Sequence, residues 1–398
     1  MPQRKGRILE IMQLRRMRVE IAQLKVTALV VTRQSPSLGA AFAAMFDVLA
    51  RACDAMLEEM MEWWNPQAPP ALPGRSAESF TGDELRASFR FDREAIAELR
   101  GLLGVPDVLY SRSKRRFGGE EAFLLLLRRL GGRERNVELA RVFGRSSPAI
   151  SEMYNVVLTH VYQHARRAMR LEMWEHDLVG FAETLARCGC VEQHCVGFID
   201  GTMFAICRPM EGQESMYNGW KRGHRVKYQC VVLPNFLIGD WHGPASGRTN
   251  DPQMLVDSDL VPRMRAICER LGERLCIYGD AAYPRSDVLL RAPKRPNRTP
   301  AMEEYATTMS HYRECVEWVF GKLGNLWPFV TDVTRKTTGS RATSKEDWVA
   351  ALLTNYHTCR YGGVANSYFN TEPPTMQQYR AMYSMGTEDE EGEMDEDG

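Results

Sequence analysis

The 398-residue chain has no apolar run approaching the ~20 residues that a membrane-spanning helix needs. No secretory leader is expected at its start either. Its first residues, MPQRKGRILEIMQLRRMRVEIAQLKV, alternate basic and apolar side chains too finely for an apolar leader core. Both absences predict a protein that stays inside the cell with no membrane contact. There, its ten cysteines are expected to be reduced thiols. Cys188, Cys190, His194 and Cys195 include four potential zinc ligands. A structural zinc site usually draws on two pairs spaced well apart, so small buried thiols beside a strand are the favoured reading. Net charge is missing as well, with 51 basic and 51 acidic residues. The balance is local, because residues 388–398 hold eight acidic side chains and leave 51 basic against 43 acidic in the remainder. A basic body with an acidic tail suits a protein that meets nucleic acid, although disordered tails are also acidic for solubility alone.

What is present is a 44% hydrophobic chain with room for two or three domains. Residues 1–83 read as a basic amphipathic helix followed by a Pro-rich linker. The helix would place Ile8, Ile11, Leu14 and Met17 on one side, and its Arg/Lys cluster also matches a nuclear-import patch. Residues 84–190 carry helical patterns. Within them, residues 137–151 predict a helix-turn-helix, with Gly144 at the turn, Ser146 or Ser147 as cap, and Pro148 just inside the second helix. In that motif Arg145, Ser147 and Ser151 would face DNA; an ordinary helical hairpin fits the same pattern. From residue 191 to 362 the texture changes. Short β-rich runs (194–200, 203–208, 226–233, 236–243, 274–280) are interleaved with helical ones (251–260, 262–272, 311–323), predicting an α/β domain with a mixed sheet. Residues 363–398 are expected to form a loose acidic tail.

Carboxylates mark this domain. Asp200 closes the run Val196–Ile199, Asp280 closes Leu275–Tyr278, Asp251 follows the turn at 246–250, and Glu317 lies in the later helical pattern. Strand ends in one sheet gather side chains from distant positions into a cleft. Clustered carboxylates repel one another, and the simplest remedy is a divalent cation such as Mg²⁺ or Mn²⁺ with oxygen ligands. Two such ions can activate water and stabilise the leaving oxygen of a phosphodiester. No His-rich or Cys-rich set of comparable quality competes. Each carboxylate has a plainer reading too. An Asp after a strand can be a turn former, and Asp251 can cap its own helix. Glu317 can pair with Arg313 four residues earlier, and Glu314 is a rival carboxylate. Lys221, Arg222, Arg225 and Lys227 form a dense cationic segment suited to holding phosphates.

Five strings in order, Gly197-Phe198-Ile199-Asp200-Gly201-Thr202, Tyr217-Asn218 with Lys221-Arg222-Gly223, Gly247-Arg248-Thr249-Asn250-Asp251, Tyr278-Gly279-Asp280-Ala281-Ala282-Tyr283-Pro284, and residues 313–323 (RECVEWVFGKL), resemble the PIF/Harbinger transposases and their domesticated relatives. The likeness covers roughly residues 194–360. It implies a ribonuclease-H-like, DDE-type nuclease domain preceded by an all-α helix-turn-helix domain. Position by position, it implies Asp200, Asp280 and Glu317 as the catalytic carboxylates and metal ligands. Asp251 matches a further ligand, and spacing leaves open whether Asp251 or Asp280 is the second member of the triad. Ala281-Ala282 stands where the family often has Ser-Gly, and Trp318 replaces a commoner small or basic residue. Neither departure removes a carboxylate.

The activity this implies is nicking of transposon ends followed by transfer of the 3′ end to target DNA. It also implies Mg²⁺ or Mn²⁺ as cofactor, a Myb/SANT-like DNA-binding partner protein, and residence in the nucleus and cytoplasm. Cutting two ends points to a homodimer. The alternatives are a domesticated DNA-binding or scaffolding protein and a small-molecule phosphohydrolase, which would need a closed, hydrophobic ligand pocket.

Overall fold

In a computed structural model of the chain, the described residues are 74–210, 212–293, 298–336, 343–363 and 368–384, with scattered positions between 17 and 56. The expected basic N-terminal helix, most of the Pro-rich linker and the acidic end of the chain lie largely outside them. The chain forms two compact units, Met1–Pro73 with Tyr110–Phe117, and Gly74–Leu109 with Gly118–Gly398. In the first, Ile21, Ala50 and Cys53 are buried together with Phe46 packed against them.

The second unit takes in the last residues expected of the linker. Ala77 is buried and its N–H donates to Glu120 Oε1 at 2.8 Å, while Thr81 and Glu84 cap each other's backbone. Helices α1 (Arg93–Leu102), α2 (Gly119–Gly131), α3 (Asn136–Phe143), α4 (Ser147–Ala165) and α5 (Leu178–Arg187) follow. The run Ala122–Leu127 in α2 is buried on every side, as expected of a helix apolar all round. Between α3 and α4 the chain turns at Gly144, whose φ of 64° is a left-handed conformation that favours glycine. Ser146 caps α4 by accepting from the Ala149 N–H, and Pro148 occupies the first turn.

Strands β1 (Cys195–Ala205), β2 (Tyr217–Asn218), β3 (Gly223–Val232) and β4 (Ile238–Ser246) come next. They are followed by helices α6 (Asp251–Asp257) and α7 (Leu260–Leu271), then strands β5 (Cys276–Gly279) and β6 (Leu289–Arg291). The sheet order is β2–β3–β1–β5–β6, with β4 also paired to β3. β1 runs parallel to β5 and antiparallel to β3, so the sheet is mixed. The two runs expected at 194–200 and 203–208 are one strand. Asp200, Gly201 and Thr202 all keep partners in β3 (Cys230, Gln229, Tyr228), so the apparent Asp-Gly turn never forms.

Among the described residues the longer helices that follow are α8 (Pro300–Leu326), α9 (Thr343–Tyr361) and α10 (Met376–Met382). Thr299 caps the 27-residue α8, and Pro328 follows its end. Asn355 of α9 accepts from the Ile238 N–H at 2.8 Å and donates to the Ile238 carbonyl at 3.0 Å, satisfying the backbone where β4 begins.

Candidate active site

The central strand sets the position of Asp200. Its neighbours Phe198 and Ile199 are wholly buried, and Ile199 lies opposite Gly279, the last residue of β5. Asp280 follows Gly279 directly, so the parallel register brings Asp200 and Asp280 to the same edge of two adjacent strands. Gly279 has to be small: an added Cβ would sit 2.8 Å from Ile199 Cγ2 and 3.0 Å from the Tyr283 ring. Asp280 also serves its own turn, accepting from the Ala282 N–H, so the turn-former reading holds alongside the clustering.

Asp251 approaches from a different element. It is the first residue of α6, but the cap is Asn250, which accepts from the Gln253 N–H at 2.9 Å. Asp251 is thereby free to receive Lys227 Nζ at 2.7 Å. Gly201 leaves room for this pair, since a Cβ there would meet Asp251 Oδ1 at 3.0 Å and Lys227 Cε at 3.2 Å. Within the Asp-Gly-Thr string, the glycine therefore acts through what it does not occupy.

Asp200 accepts from its neighbour's Gly201 N–H at 2.8 Å and forms an ion pair with Arg313 of α8. Burial raises its pKa above the ordinary aspartate value, and the charges of Asp280 and Asp251 add to the rise; Arg313 and the Gly201 N–H oppose it. Three aspartates thus share one electrostatic neighbourhood. Tyr283 reads the same field. Its side chain is 1% exposed, its hydroxyl has no hydrogen-bond partner among the described residues, and burial followed by Asp251, Asp200 and Asp280 pushes its pKa upward.

Glu317 is exposed and lies four residues beyond Arg313 on α8. Residues four apart share a helix face about 6 Å apart along the axis. Arg313 reaches Asp200 from α8, whereas no hydrogen bond or ion pair joins Glu317 to the aspartates among the described residues. The expected Arg313–Glu317 pairing is replaced by the Arg313–Asp200 pair. The rival Glu314 lies 4.0 Å from His311 on the exposed surface. Trp318 packs on Phe236 (ring centroids 5.9 Å) and Tyr368 (4.9 Å), which gives the unusual tryptophan a packing role.

The expected cations separate into groups. Lys221 and Arg222 are exposed and Arg225 is half-buried, whereas Lys227 is 4% exposed and committed to Asp251 and the Thr249 carbonyl. Arg145 makes a two-pronged ion pair with buried Glu121 (2.9 and 2.7 Å), so this guanidinium is engaged inside the helical region. Ser147 and Ser151 are half-buried in the first turns of α4. The thiols of Cys190 and Cys195 donate to the carbonyls of Glu192 (3.6 Å) and Gly197 (3.3 Å), and Cys188 to that of Phe369 (3.6 Å).

Among the described residues, no three His, Cys, Asp or Glu side chains close around a point where one metal ion could sit. The donor chemistry nevertheless fits a hard divalent cation. The donors are carboxylate oxygens of half-buried aspartates whose excess negative charge is offset by Arg313 and Lys227. Sequence reasoning missed both of these ion pairs, and it held Tyr283 only as part of the string around Asp280. Arg313 was visible only as a neighbour of Glu317.

Residues 199–355 match the family described as DDE superfamily endonuclease. The matched span begins one residue before Asp200 and contains Asp251, Asp280 and Glu317. The match supports a DDE transposase-like nuclease, a family that acts on DNA, and the mixed α/β sheet is compatible with that fold. No curated protein and no solved structure matches the chain. No helix among the described residues is long and apolar enough to cross a membrane.

Proposed function

We propose that this chain is a divalent-metal-dependent DNA endonuclease of the PIF/Harbinger transposase type, built on a ribonuclease-H-like domain, which nicks transposon ends and transfers the 3′ end to target DNA. The observation that carries the reading is the placing of Asp200, Asp251 and Asp280 close together inside the matched span: Asp280 follows the β5 residue opposite Ile199, and Asp251 Oδ1 lies against Gly201. Asp200, Asp280, Asp251 and Glu317 are the residues that would hold Mg²⁺ or Mn²⁺. When bound, the cation would supply Lewis-acid stabilisation of the developing charge and an activated water.

The chain's own groups have separable roles. Arg313 orients the Asp200 carboxylate and restrains its protonation; Lys227 holds the Asp251 carboxylate in place until a cation takes it. Lys221, Arg222 and Arg225 hold backbone phosphates along the entrance. Ser147 and Ser151, in the first turns of α4, form the DNA-facing edge of the helix-turn-helix, with Arg145 fixing its geometry through Glu121. A Myb/SANT-like partner, a homodimer and nuclear residence complete the proposal, all three resting on the family resemblance.

The test uses supercoiled and end-containing DNA with purified protein, with and without Mg²⁺ or Mn²⁺. Wild type is expected to nick only with the cation. Asp200→Asn should be slower by more than about a hundredfold, beyond what losing an outer-shell partner costs, while retaining its fold and DNA affinity. Full cation-dependent nicking by Asp200→Asn would overturn the assignment. A second reading, a domesticated DNA-binding or scaffolding protein, is favoured by one observation: two of the aspartates already have cationic side-chain partners. It predicts DNA binding without nicking by wild type or variant. The phosphohydrolase reading fits poorly, because the clefts near Asp251 are open and lined by polar and charged side chains.

A further inference from the structure

Trp220 is 88% exposed, an unusual position for the most apolar-surfaced side chain of all. It stands in the turn between β2 and β3, flanked by Gly219 and the exposed Lys221 and Arg222. The turn is held firmly. Asn218 Oδ1 accepts from the Lys221 N–H at 2.9 Å, and Asn218 Nδ2 donates to the Gly247 carbonyl at 2.7 Å. Gly247 packs so tightly that a Cβ would lie 2.7 Å from the carbonyls of both Met216 and Arg225. These contacts fasten the hairpin to the Ser246–Asn250 turn, which leads straight into Asp251.

An open cleft of about 600 Å³ reaches Gly219, the residue before Trp220, and is lined as well by Tyr217, His224, Arg208, Arg248 and Glu214. Tyr217 is half exposed and stands edge-on to His224, ring centroids 5.5 Å apart. Arg248, three residues before Asp251, is exposed and has no ion pair among the described residues. Aromatic faces beside an exposed guanidinium form the recognition chemistry of an unstacked nucleotide: the rings take the base and the cation takes its phosphate. A carboxylate in the same cleft can accept from an exocyclic amine, as acidic side chains do from cytosine. A paired base inside a duplex cannot offer its face to such a site.

We propose that this cleft takes one unpaired nucleotide of the DNA substrate, its base stacked on Trp220 and its phosphate held by Arg248, next to the strand that the aspartates would cut. This rests on the nuclease reading for its location but not for its binding chemistry. Because Arg248 and Asp251 share one turn, a nucleotide held here also fixes the neighbouring phosphodiester in register with the carboxylates.

The experiment measures fluorescence anisotropy of three labelled DNAs in EDTA, where no cleavage is required. They are a fully paired duplex, the same duplex with one unpaired nucleotide, and a single strand of ~10 nucleotides, within the usual footprint of such sites. Wild type should prefer the DNAs with unpaired nucleotides. Trp220→Ala should weaken binding to those two by about fivefold or more, the low end of what one stacked base contributes. Trp220→Phe should restore most of it, and Arg248→Ala should weaken binding to the same two DNAs. Equal affinity of wild type for paired and unpaired DNA, or unchanged binding by Trp220→Ala, overturns the proposal. Asp200→Asn nicking scores the nuclease reading separately. If that variant nicks normally while the Trp220-dependent preference persists, the carboxylate assignment fails and the nucleotide cleft stands.

Discussion

Two consecutive residues of β3 face opposite sides of the sheet and meet opposite kinds of electrostatics. Lys227 reaches Asp251, whose side chain is 27% exposed, close to Asp200 and Asp280. Tyr228, next along the strand, donates to Asp347 Oδ2 at 2.8 Å, and Asp347 forms an ion pair with Lys336; both of those charges are completely buried. Alternation along a strand places the two pairs on different faces. Burial holds the Asp347 carboxyl up at about 6, against the pull of Lys336 and the Tyr228 hydroxyl, while the Lys336 ammonium, 4.4 Å from the Phe204 ring centroid, is held below its ordinary value by burial. The sealed pair has no access to another partner without opening the core. The pair at Asp251 is open to water, so in the proposed metal site its aspartate would exchange the lysine for a cation. What the comparison teaches is that similar aspartate–lysine contacts do different work according to whether water reaches them.

The largest effect is expected where the contrast is broken from the sealed side. Lys336→Met leaves Asp347 buried without its cation and should cost about 3–5 kcal/mol in urea unfolding. Adding Asp347→Leu should recover most of the loss, because removing both charges removes the desolvation penalty. Equal midpoints for wild type and the single variant would show that the pair is not energetically sealed.

Acid sharpens the contrast next. His357 packs beside Phe91 and Tyr361, and burial, with Lys322 and Arg90 nearby, lowers its pKa to about 4. An unfolded chain takes up this proton below about 6.5 while the folded chain does not. Stability should therefore fall as pH drops from about 6.5 toward 4, and His357→Phe should flatten that slope. Asp200 acts with the opposite sign. Its raised value lets the folded state bind a proton before the unfolded state does, so its contribution rises as acid is added. Thermal unfolding from pH 4 to 7 separates the two.

On the open side the expected effects on stability are small. Lys227→Met should cost about 1 kcal/mol, because Asp251 can hydrate, and should lower the Mn²⁺ concentration needed for half-maximal nicking. A rise in that concentration would mean that Lys227 supports cation binding instead of competing with it. Smallest of all, Tyr283→Phe removes a buried hydroxyl that has no partner among the described residues, so unfolding should be unchanged or slightly favourable.

Much of this arrangement could be read from the residues, and the failures have physical causes. The strands around Asp200 and Asp280 announced themselves as short apolar runs, because strands packed on both faces need little alternation. The break expected after Asp200 was misplaced because an Asp at the end of an apolar run can form a turn, whereas the strand continues and Gly201 makes space for a side-chain pair brought in by a different element. The three-residue β6 is too short to leave a pattern. The stretch at 74–83 read as linker by composition, yet a backbone bond to Glu120 and mutual capping anchor it. Arg313 and Lys227 were visible as charges, but their partners are 113 and 24 residues away, a relationship no local spacing encodes. Trp220 stood unremarked beside Lys221 until its exposure was known.

Calorimetric titration of Mn²⁺ into the DNA-free protein tests directly whether the aspartates form a cation site. Wild type should show saturable binding, weakened at least about tenfold in both Asp200→Asn and Asp280→Asn, with their unfolding midpoints near wild type. Indistinguishable Mn²⁺ isotherms for wild type and both variants would contradict it.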